Sequence, residues 1–298
     1  MKVGLIDVDG HNFPNLALMK ISQYHKSKGD DVEWCIPFVH YDIVYQSKVF
    51  DETYSKDICY MPDADKIILG GTGYGLNNNL PPEIEHMCPD YSLYPKLTQD
   101  TAYGFLTRGC PRACGFCIVS EKEGRTSKKV ADVEEFWSGE KYIKLLDPNI
   151  LACLQHKELL LQLSSTKAYV DFTQGLDARL ITEENAKLIS QIKLKQIHFA
   201  WDNAKDEDAI LRGLETYKAN ARVKPHGAYG GVYVLTNYNT DFEYDLYRIN
   251  KLKEMQYDPY VMVYNKPLAD KKYKRLQGWC NNRIIFKSCS FEEYRERK

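Results

Sequence analysis

Six short apolar runs, separated by helix-like stretches, constrain the fold of this chain of 298 residues more than any other feature. The runs are AYGFL, KYIKLL, AYVDF, KQIHFAW, GVYVLT and DPYVMVYN, and they start 27 to 39 residues apart. The clearest helices between them are HKELLLQL, TEENAKLISQI and EDAILRGLETY. Strand–helix units at this spacing predict a partial (β/α)6 barrel over residues 99–265, short of the eight units that close a full barrel.

The first 98 residues predict a smaller α/β domain. KVGLID and DVEWCI have the composition of strands, and a helix between Pro14 and Gly29 would join them. KIILGG is a later strand, so we expect a small Rossmann-like parallel sheet. Residues 72–98 are rich in Gly, Asn and Pro, which places the domain boundary near residue 98. Residues 266–298 would form a basic C-terminal extension.

Composition and cysteine usage predict a cytoplasmic protein without a membrane partner. No apolar run approaches the ~20 residues that cross a bilayer. The N-terminus, MKVGLIDVDGHNF, becomes polar after six residues and is unlike a signal peptide. Nine cysteines in such a chain favour a reducing compartment, where thiols remain available for metals or chemistry.

Three of these cysteines lie within the stretch LTRGCPRACGFCIV, residues 106–119. Cys110, Cys114 and Cys117 directly follow the first predicted barrel strand. In α/β folds, catalytic and ligand-binding residues lie at the carboxyl ends of strands. The spacing Cys-x3-Cys-x2-Cys lets one short loop supply three thiolates to a [4Fe–4S] cluster, and Phe116 would shield the metal from solvent. Three thiolates leave one iron open to an outside ligand, whereas four suit electron transfer.

Other interpretations of this loop are weaker. A zinc site needs a fourth ligand, and the nearest further Cys or His residues are Cys88 and Cys153. The cysteines of a dehydratase-type cluster are usually spread along the chain, and a structural loop would not need this spacing. A non-catalytic or electron-transfer iron–sulfur protein remains the competing class.

The motif Cys110-Pro-Arg-Ala-Cys114-Gly-Phe-Cys117, at the start of a six-unit partial barrel, resembles the radical S-adenosylmethionine superfamily. The resemblance covers residues 99–265. It implies a [4Fe–4S] cluster whose open iron is chelated by the amino and carboxylate groups of S-adenosylmethionine. Reduction by a flavodoxin- or ferredoxin-type donor then yields methionine and a 5′-deoxyadenosyl radical, which abstracts hydrogen from a substrate.

The same resemblance implies that residues after successive strands contact S-adenosylmethionine. A carboxylate would bind the ribose hydroxyls and a guanidinium would bind the methionyl carboxylate. Two of the candidates stand where the superfamily often has Gly-Gly-Glu. The predicted contacts are Asp147 and Asn149 after the second strand, Gln174, Asp177 and Arg179 after the third, and Asp202 after the fourth. Alternatively, Asp177 and Arg179 pair with each other, and His198 is a core histidine.

The N-terminal third resembles the domain that precedes the barrel in cobalamin-binding-type radical enzymes. Asp9-Gly10-His11 matches the start of their Asp-x-His-x-x-Gly motif, but Pro14 replaces the glycine and the segment is short for a corrin. Cobalamin is therefore possible but not favoured.

Methylthiotransferases of the superfamily hold a second cluster with three N-terminal cysteines, the number that Cys35, Cys59 and Cys88 supply. Their contexts, EWCIP, DICYM and HMCPD, lack the expected glycine-rich loops.

The substrate is not specified by the sequence: RNA, protein and a small metabolite all remain open, as does methyl or methylthio transfer to RNA or protein. The tail ADKKYKRLQGWCNNRIIFK interleaves lysines and arginines with Tyr273 and Trp279. This composition is typical of a surface for single-stranded nucleic acid, and equally of a solvated amphipathic edge.

Overall fold

The structure is a computed structural model that describes residues 1–10, 12–221 and 227–294. The chain divides into two compact units, Met1–Lys144 and Leu145–Lys298. Among the described helices, none is both long and apolar enough to span a membrane. The boundary near residue 98 stays a prediction.

The strands are short and run through both units. They are β1 (Lys2–Asp7), β2 (Asp31–Trp34), β3 (Tyr41–Ser47), β4 (Ala64–Gly70), β5 (Thr101–Gly104), β6 (Thr107–Arg108), β7 (Lys128–Lys129), β8 (Tyr142–Leu145), β9 (Tyr169–Leu176), β10 (Leu194–Ala200), β11 (Gly231–Thr236) and β12 (Asp258–Val263).

Helices lie between many of these strands. They are α1 (Leu16–Ser27), α2 (Pro82–Glu85), α3 (Pro95–Thr98), α4 (Val119–Lys122), α5 (His156–Ser165), α6 (Glu183–Gln191), α7 (Glu207–Asn220), α8 (Phe242–Glu254), α9 (Lys271–Cys280) and α10 (Arg283–Ser288).

The first unit contains a four-stranded parallel sheet in the order β2-β1-β3-β4. The Asn15 side chain caps α1 by accepting the N–H of Leu18. Leu18 then packs with Val3 and Leu5 on one face of the sheet. The predicted parallel α/β sheet is confirmed for this part of the chain.

The connections of this sheet differ from the predicted alternation of strand and helix. Residues 35–40 alone join β2 to β3, although parallel strands usually need a connection of a dozen residues or more. The loop after β3 is held by the buried carboxylate of Asp9, which accepts the N–H of Val49 (2.5 Å) and the hydroxyl of Ser55 (2.5 Å). Asp9 therefore has a structural function in the motif that resembles a cobalamin site. His11, the histidine of that motif, lies outside the described residues.

The second sheet has the strand order β12-β11-β10-β9-β8-β5, and the pairs from β9 to β12 are parallel. All six predicted barrel strands are therefore strands. In the second unit, α6 begins as its sequence predicts, since the Thr182 side chain accepts the N–H of Asn185 and the Asn185 side chain accepts the N–H of Thr182.

The C-terminal helices α9 and α10 pack on the core of the second unit. Trp279 is buried against Ile249, Val261 and Phe286, and Tyr273 is also buried. The aromatic rings of the tail therefore do not form the surface for nucleic acid that its composition suggested, because helix packing has removed both rings from solvent.

A buried ion pair fixes the carboxyl ends of β10 and β11. The side chains of Arg248 and Asp245 form this pair, and both are fully buried. Arg248 donates to the carbonyl oxygens of Trp201, after β10, and of Leu235, near the end of β11 (Nη2 to O, 2.8 Å). Asp245 also accepts the N–H of Asn237 (2.9 Å). The pair thus joins α8 to the ends of two strands.

We expect Arg248→Met to lower the free energy of unfolding by about 3–5 kcal/mol, because Asp245 would remain buried without its cation. Lys187→Met is the matched control, since Lys187 pairs with Glu183 on an exposed face of α6 and its loss should change the free energy of unfolding far less. Urea denaturation measures both. Equal, small losses in the two variants would contradict the role given to Arg248.

Candidate functional site

The cysteine loop, residues 109–127, joins β6 to β7, and these two strands pair antiparallel. Cys110 and Cys114 are half-buried, and Cys117 is exposed. The N–H of Cys117 donates to the carbonyl oxygen of Cys114 (3.0 Å), so the second and third cysteines lie in one tight turn. Phe116 is half-buried in this turn.

Gly109 begins the loop in a conformation that no other residue could adopt without strain. Its φ is +88°, and a Cβ atom would lie 2.2 Å from the carbonyl oxygen of Thr126, at the other end of the loop. The next residue, Cys110, donates its N–H to the carbonyl oxygen of Gly124 (3.1 Å). The two ends of the cysteine loop are therefore in direct backbone contact.

Glu123 binds the start of the cysteine loop. We call the place where the two ends of this loop meet its base. Its carboxylate accepts the N–H of Gly109 (3.0 Å) and the Nη1 of Arg108 (2.9 Å). Arg108 in turn donates to Glu85 (3.2 Å), which also pairs with Lys20 (3.0 Å). Four charged side chains thus alternate in sign from α1 to the first residue of the loop.

The burial of this charged chain changes its titration. Burial lowers the pKa of Lys20 despite the nearby Glu85. Burial alone would raise the pKa of Glu85, but the charges of Lys20 and Arg108 outweigh it and hold that pKa below its usual value. Glu85 is therefore ionised at neutral pH and supports Arg108 at the base of the loop.

Lys122, at the end of α4, fixes the other side of the loop. Its ammonium donates to the carbonyl oxygens of Leu76 (2.7 Å) and Asn78 (2.6 Å) and to the side chain of Asn79 (2.9 Å). Burial, and then the charge of Arg108, lower the pKa of Lys122. The glycine- and asparagine-rich segment that the sequence predicts as irregular is thus the support on which α4 rests.

The donor chemistry of the cysteine loop fits an iron–sulfur cluster, because three thiolates on one loop are soft ligands of the kind such clusters use. The contact between the loop ends also fits, since it closes the one loop that carries all three thiols. Within the described residues, no group of three or more Cys, His, Asp or Glu side chains is gathered as if around a metal ion. The loop therefore carries thiols of the type that such clusters use, and in the described part of the chain these thiols are not gathered around one point.

In the second unit, the carboxyl ends of β8 and β9 bring several predicted residues together. We call Asn149, Asp177, Arg179 and Asp206 the carboxyl-end cluster. Arg179 binds both oxygens of Asp177 (Nε to Oδ1, 2.7 Å; Nη2 to Oδ2, 3.1 Å) and donates from Nη1 to Asp206 (2.6 Å). Asn149 donates to Asp177 (3.3 Å). The interpretation that Asp177 and Arg179 pair with each other therefore describes the structure.

The remaining predicted residues occupy different environments. Asp147 is buried, whereas Gln174 is exposed. Asp202 follows β10 and accepts the N–H of Leu235 (3.1 Å). Burial raises the pKa of Asp202, although this hydrogen bond and the charges of Arg248 and Arg179 act against the shift.

His198 lies within β10, where its ring stacks on that of Tyr233 (centroids 4.8 Å apart, 13° between planes). His198 was interpreted as a core histidine within a strand; it does lie within β10, and its side chain is half-buried.

Two residues that shape the candidate sites were not identified from the sequence. Asp206 binds Arg179, from which it is separated by 27 positions in the chain. Glu123 binds the N–H of Gly109 at the start of the cysteine loop. Asp206 stands directly before α7, but its side chain does not cap that helix, and the sequence carries no signal for its ion pair with Arg179.

A cavity of about 450 Å³ lies at the opposite, amino ends of β10, β11 and β12. Its lining includes His198, Gly231, Tyr260 and Arg283, and none of the predicted cofactor-binding residues is among the described residues that line it. This cavity is therefore separate from the carboxyl-end cluster.

No protein-family model and no curated protein sequence matches this chain. The function must therefore be inferred from the residues themselves.

The closed base of the cysteine loop predicts a large difference between two glycines. Gly124 also has a positive φ, +92°, but no atom lies within 4 Å of the position of a Cβ. We expect Gly124→Ala to cost about 1 kcal/mol of unfolding free energy through backbone strain alone. Gly109→Ala should cost about 3 kcal/mol or more, because its methyl group would collide with Thr126. Similar losses in urea denaturation would contradict the close approach.

The raised pKa of Asp202 predicts that the stability of the fold depends on pH. Because its folded-state pKa lies above the usual 3.8, the folded protein binds this proton more tightly than the unfolded chain. Ionisation of Asp202 therefore destabilises the fold as the pH rises above 3.8. Asp202→Asn, which can still accept the N–H of Leu235, should be more stable than the parent at pH 7, and the difference should vanish at acid pH.

Thermal unfolding across pH measures this difference. The exposed Asp31→Asn is the control and should show no such trend. An Asp202→Asn variant less stable than the parent at pH 7 would show that the fold favours the carboxylate.

Proposed function

We propose that the protein is a radical S-adenosylmethionine enzyme. The observation that carries the proposal is the Cys110-x3-Cys114-x2-Cys117 spacing on a loop whose two ends are in backbone contact. Three thiolates would hold a [4Fe–4S] cluster and leave one iron for an outside ligand. When bound, this cluster would supply the electron that cleaves S-adenosylmethionine into methionine and a 5′-deoxyadenosyl radical.

The chain's own residues would hold and shield the metal. Glu123 accepts the N–H of Gly109 and the guanidinium of Arg108, so the base of the loop is fixed while its thiols remain accessible. Phe116, directly before Cys117, would limit solvent at the thiolates.

The charges of the carboxyl-end cluster favour a cationic ligand. Arg179 already binds Asp177 and Asp206, so this triad carries a net charge of about −1 when all three side chains are ionised. A methionyl carboxylate would have to displace one of these partners. Ribose hydroxyls and a sulfonium match the triad better, because the first donate hydrogen bonds to carboxylates and the second is positively charged.

The partial (β/α)6 barrel is part of the proposal. The strands of the second sheet follow one another in chain order, as in a barrel, whereas the order reverses within a doubly wound sheet. A cytoplasmic location and a flavodoxin- or ferredoxin-type electron donor would follow from the chemistry. An electron-transfer iron–sulfur protein is the alternative that the following experiment tests.

Anaerobic reconstitution should load about four irons per chain, the value for this cluster type. The Cys110→Ala/Cys114→Ala/Cys117→Ala variant should lose both the iron and the broad visible absorption, whereas Cys59→Ala, at an exposed cysteine outside the loop, should keep both. With dithionite, the loaded protein should form 5′-deoxyadenosine from S-adenosylmethionine slowly. Cys117→Ala should form none.

The outcomes separate the candidates. A triple variant that retained the absorption would place the cluster elsewhere. A loaded and reduced protein that formed no more 5′-deoxyadenosine than Cys117→Ala would favour electron transfer.

A further inference from the structure

The cysteine loop and the strand that follows it are basic, whereas the rest of the first unit is acidic. Residues 109–129 contain five lysines and arginines and two glutamates, a balance of +3. The remainder of Met1–Lys144 contains eleven basic and nineteen acidic residues, a balance of −8, with histidines left out of both counts. The first unit therefore has a local excess of positive charge where the three thiols lie.

Two exposed cations of this segment are not compensated by an ion pair. Arg125 and Lys128 are exposed, and neither pairs with a carboxylate among the residues that the structure describes. Lys129, by contrast, binds Asp132 (2.6 Å). The exposed acidic residue of the segment is Glu121. Two positive charges therefore face solvent beside one negative charge.

Backbone contacts place both cations beside the start of the cysteine loop. Arg125 directly follows Gly124, whose carbonyl oxygen accepts the N–H of Cys110 (3.1 Å). Lys128 of β7 is in register with Arg108 of β6, which precedes the loop. The two cations therefore lie close to the base of the loop in space, and not only along the chain.

Lys122 adds a third positive charge on the same loop. Its ammonium donates to two carbonyl oxygens and one amide side chain within residues 76–79, at 2.6 to 2.9 Å. These three partners are neutral, so they fix the ammonium without cancelling its charge. We call Lys122, Arg125 and Lys128 the cationic patch.

An apolar side chain lies beside the thiols. Ile118, directly after the exposed Cys117, is 50% exposed. Phe116 is half-buried, and residues 109–129 contain no other aromatic ring. Small apolar areas with charges around them are typical of protein–protein interfaces, whereas single-stranded nucleic acid is bound by several stacking rings. The surface of the cysteine loop therefore fits a protein partner better than a nucleic acid.

We propose that the cationic patch docks an acidic electron-transfer protein. The proposal rests on the proposed function in one respect, namely that the cysteine loop holds a reducible cluster. The docked carrier would give up one electron to that cluster, so the carrier is oxidised by one electron and the cluster is reduced by one. Opposite charges accelerate such encounters, and the interfaces between redox partners are small, as a patch of three cations requires.

The first test is stopped-flow reduction of the reconstituted protein by a reduced, acidic flavodoxin at low salt, followed by the bleaching of the cluster absorption. Arg125→Glu/Lys128→Glu should slow this reduction about 10-fold or more, because it reverses the charges that attract the carrier. Its iron content, and its full reduction by excess dithionite, should match the parent. Arg125→Lys/Lys128→Arg retains both charges and should react like the parent.

Lys56→Glu/Lys66→Glu is the matched control. It reverses two exposed cations of the same unit outside the cationic patch, so the net charge changes equally. The control should be reduced at nearly the parental rate. The difference between the patch variant and the parent should shrink as salt is added, because salt screens exposed charges.

The second test measures docking without the metal. Fluorescence anisotropy of fluorescein-labelled flavodoxin should show binding to the full-length protein, weakened by Arg125→Glu/Lys128→Glu and retained in Lys56→Glu/Lys66→Glu. The same assay with a labelled 12-nucleotide RNA tests the other class of acidic partner.

Equal reduction rates in the parent and the patch variant would overturn the proposal. Equal slowing in the patch variant and the control would also overturn it, since net charge alone would then explain the effect. RNA binding that requires Arg125 and Lys128, without flavodoxin binding, would assign the patch to nucleic acid instead. A protein that loads no iron would contradict the proposed function, whereas the binding assay would still decide the docking.

Discussion

The fully buried guanidinium of Arg248 organises the end of the second unit where the predicted cofactor-binding residues lie. It binds Asp245 and the carbonyl oxygens that end β10 and β11, and so it fixes the loop that carries Asp202. A buried ion pair is costly to desolvate, and its value here is the position that it imposes on two strand ends. The raised pKa of Asp202 adds to that cost, because burial disfavours the ionised carboxylate.

In the first unit, a glycine allows the ends of the cysteine loop to meet. Its cysteine loop can close only because Gly109 has no side chain, and Glu123 then holds both Gly109 and Arg108. In both units, a charged side chain thus binds backbone groups beside residues that the sequence predicts as ligands. Such preorganisation limits the reordering that binding a ligand requires.

Periodicity and turn chemistry predicted the six strands of the second sheet and the start of α6. The cysteine loop was predicted to follow the first of these strands directly, whereas it joins β6 to β7 in a separate two-stranded sheet. Strand β3 was not predicted, because YDIVYQS mixes polar and apolar residues. The six residues that precede it are also fewer than a connection between parallel strands usually needs. The burial of the tail aromatics had a visible signal: Tyr273, Leu276 and Cys280 have helical spacing, which favours a packed face over an exposed one. No sequence signal predicted the ion pair of Arg179 with Asp206, because only the folded strands bring these two residues together.

The central claim is that three thiolates leave one iron open to S-adenosylmethionine. Electron paramagnetic resonance of the reduced, reconstituted protein tests it most directly, with and without S-adenosylmethionine labelled with ¹⁷O in the carboxylate. The account predicts that the signal of the reduced cluster shifts and that the labelled oxygen couples to it. A signal that added S-adenosylmethionine leaves unmoved would show that no iron is open and would contradict the account.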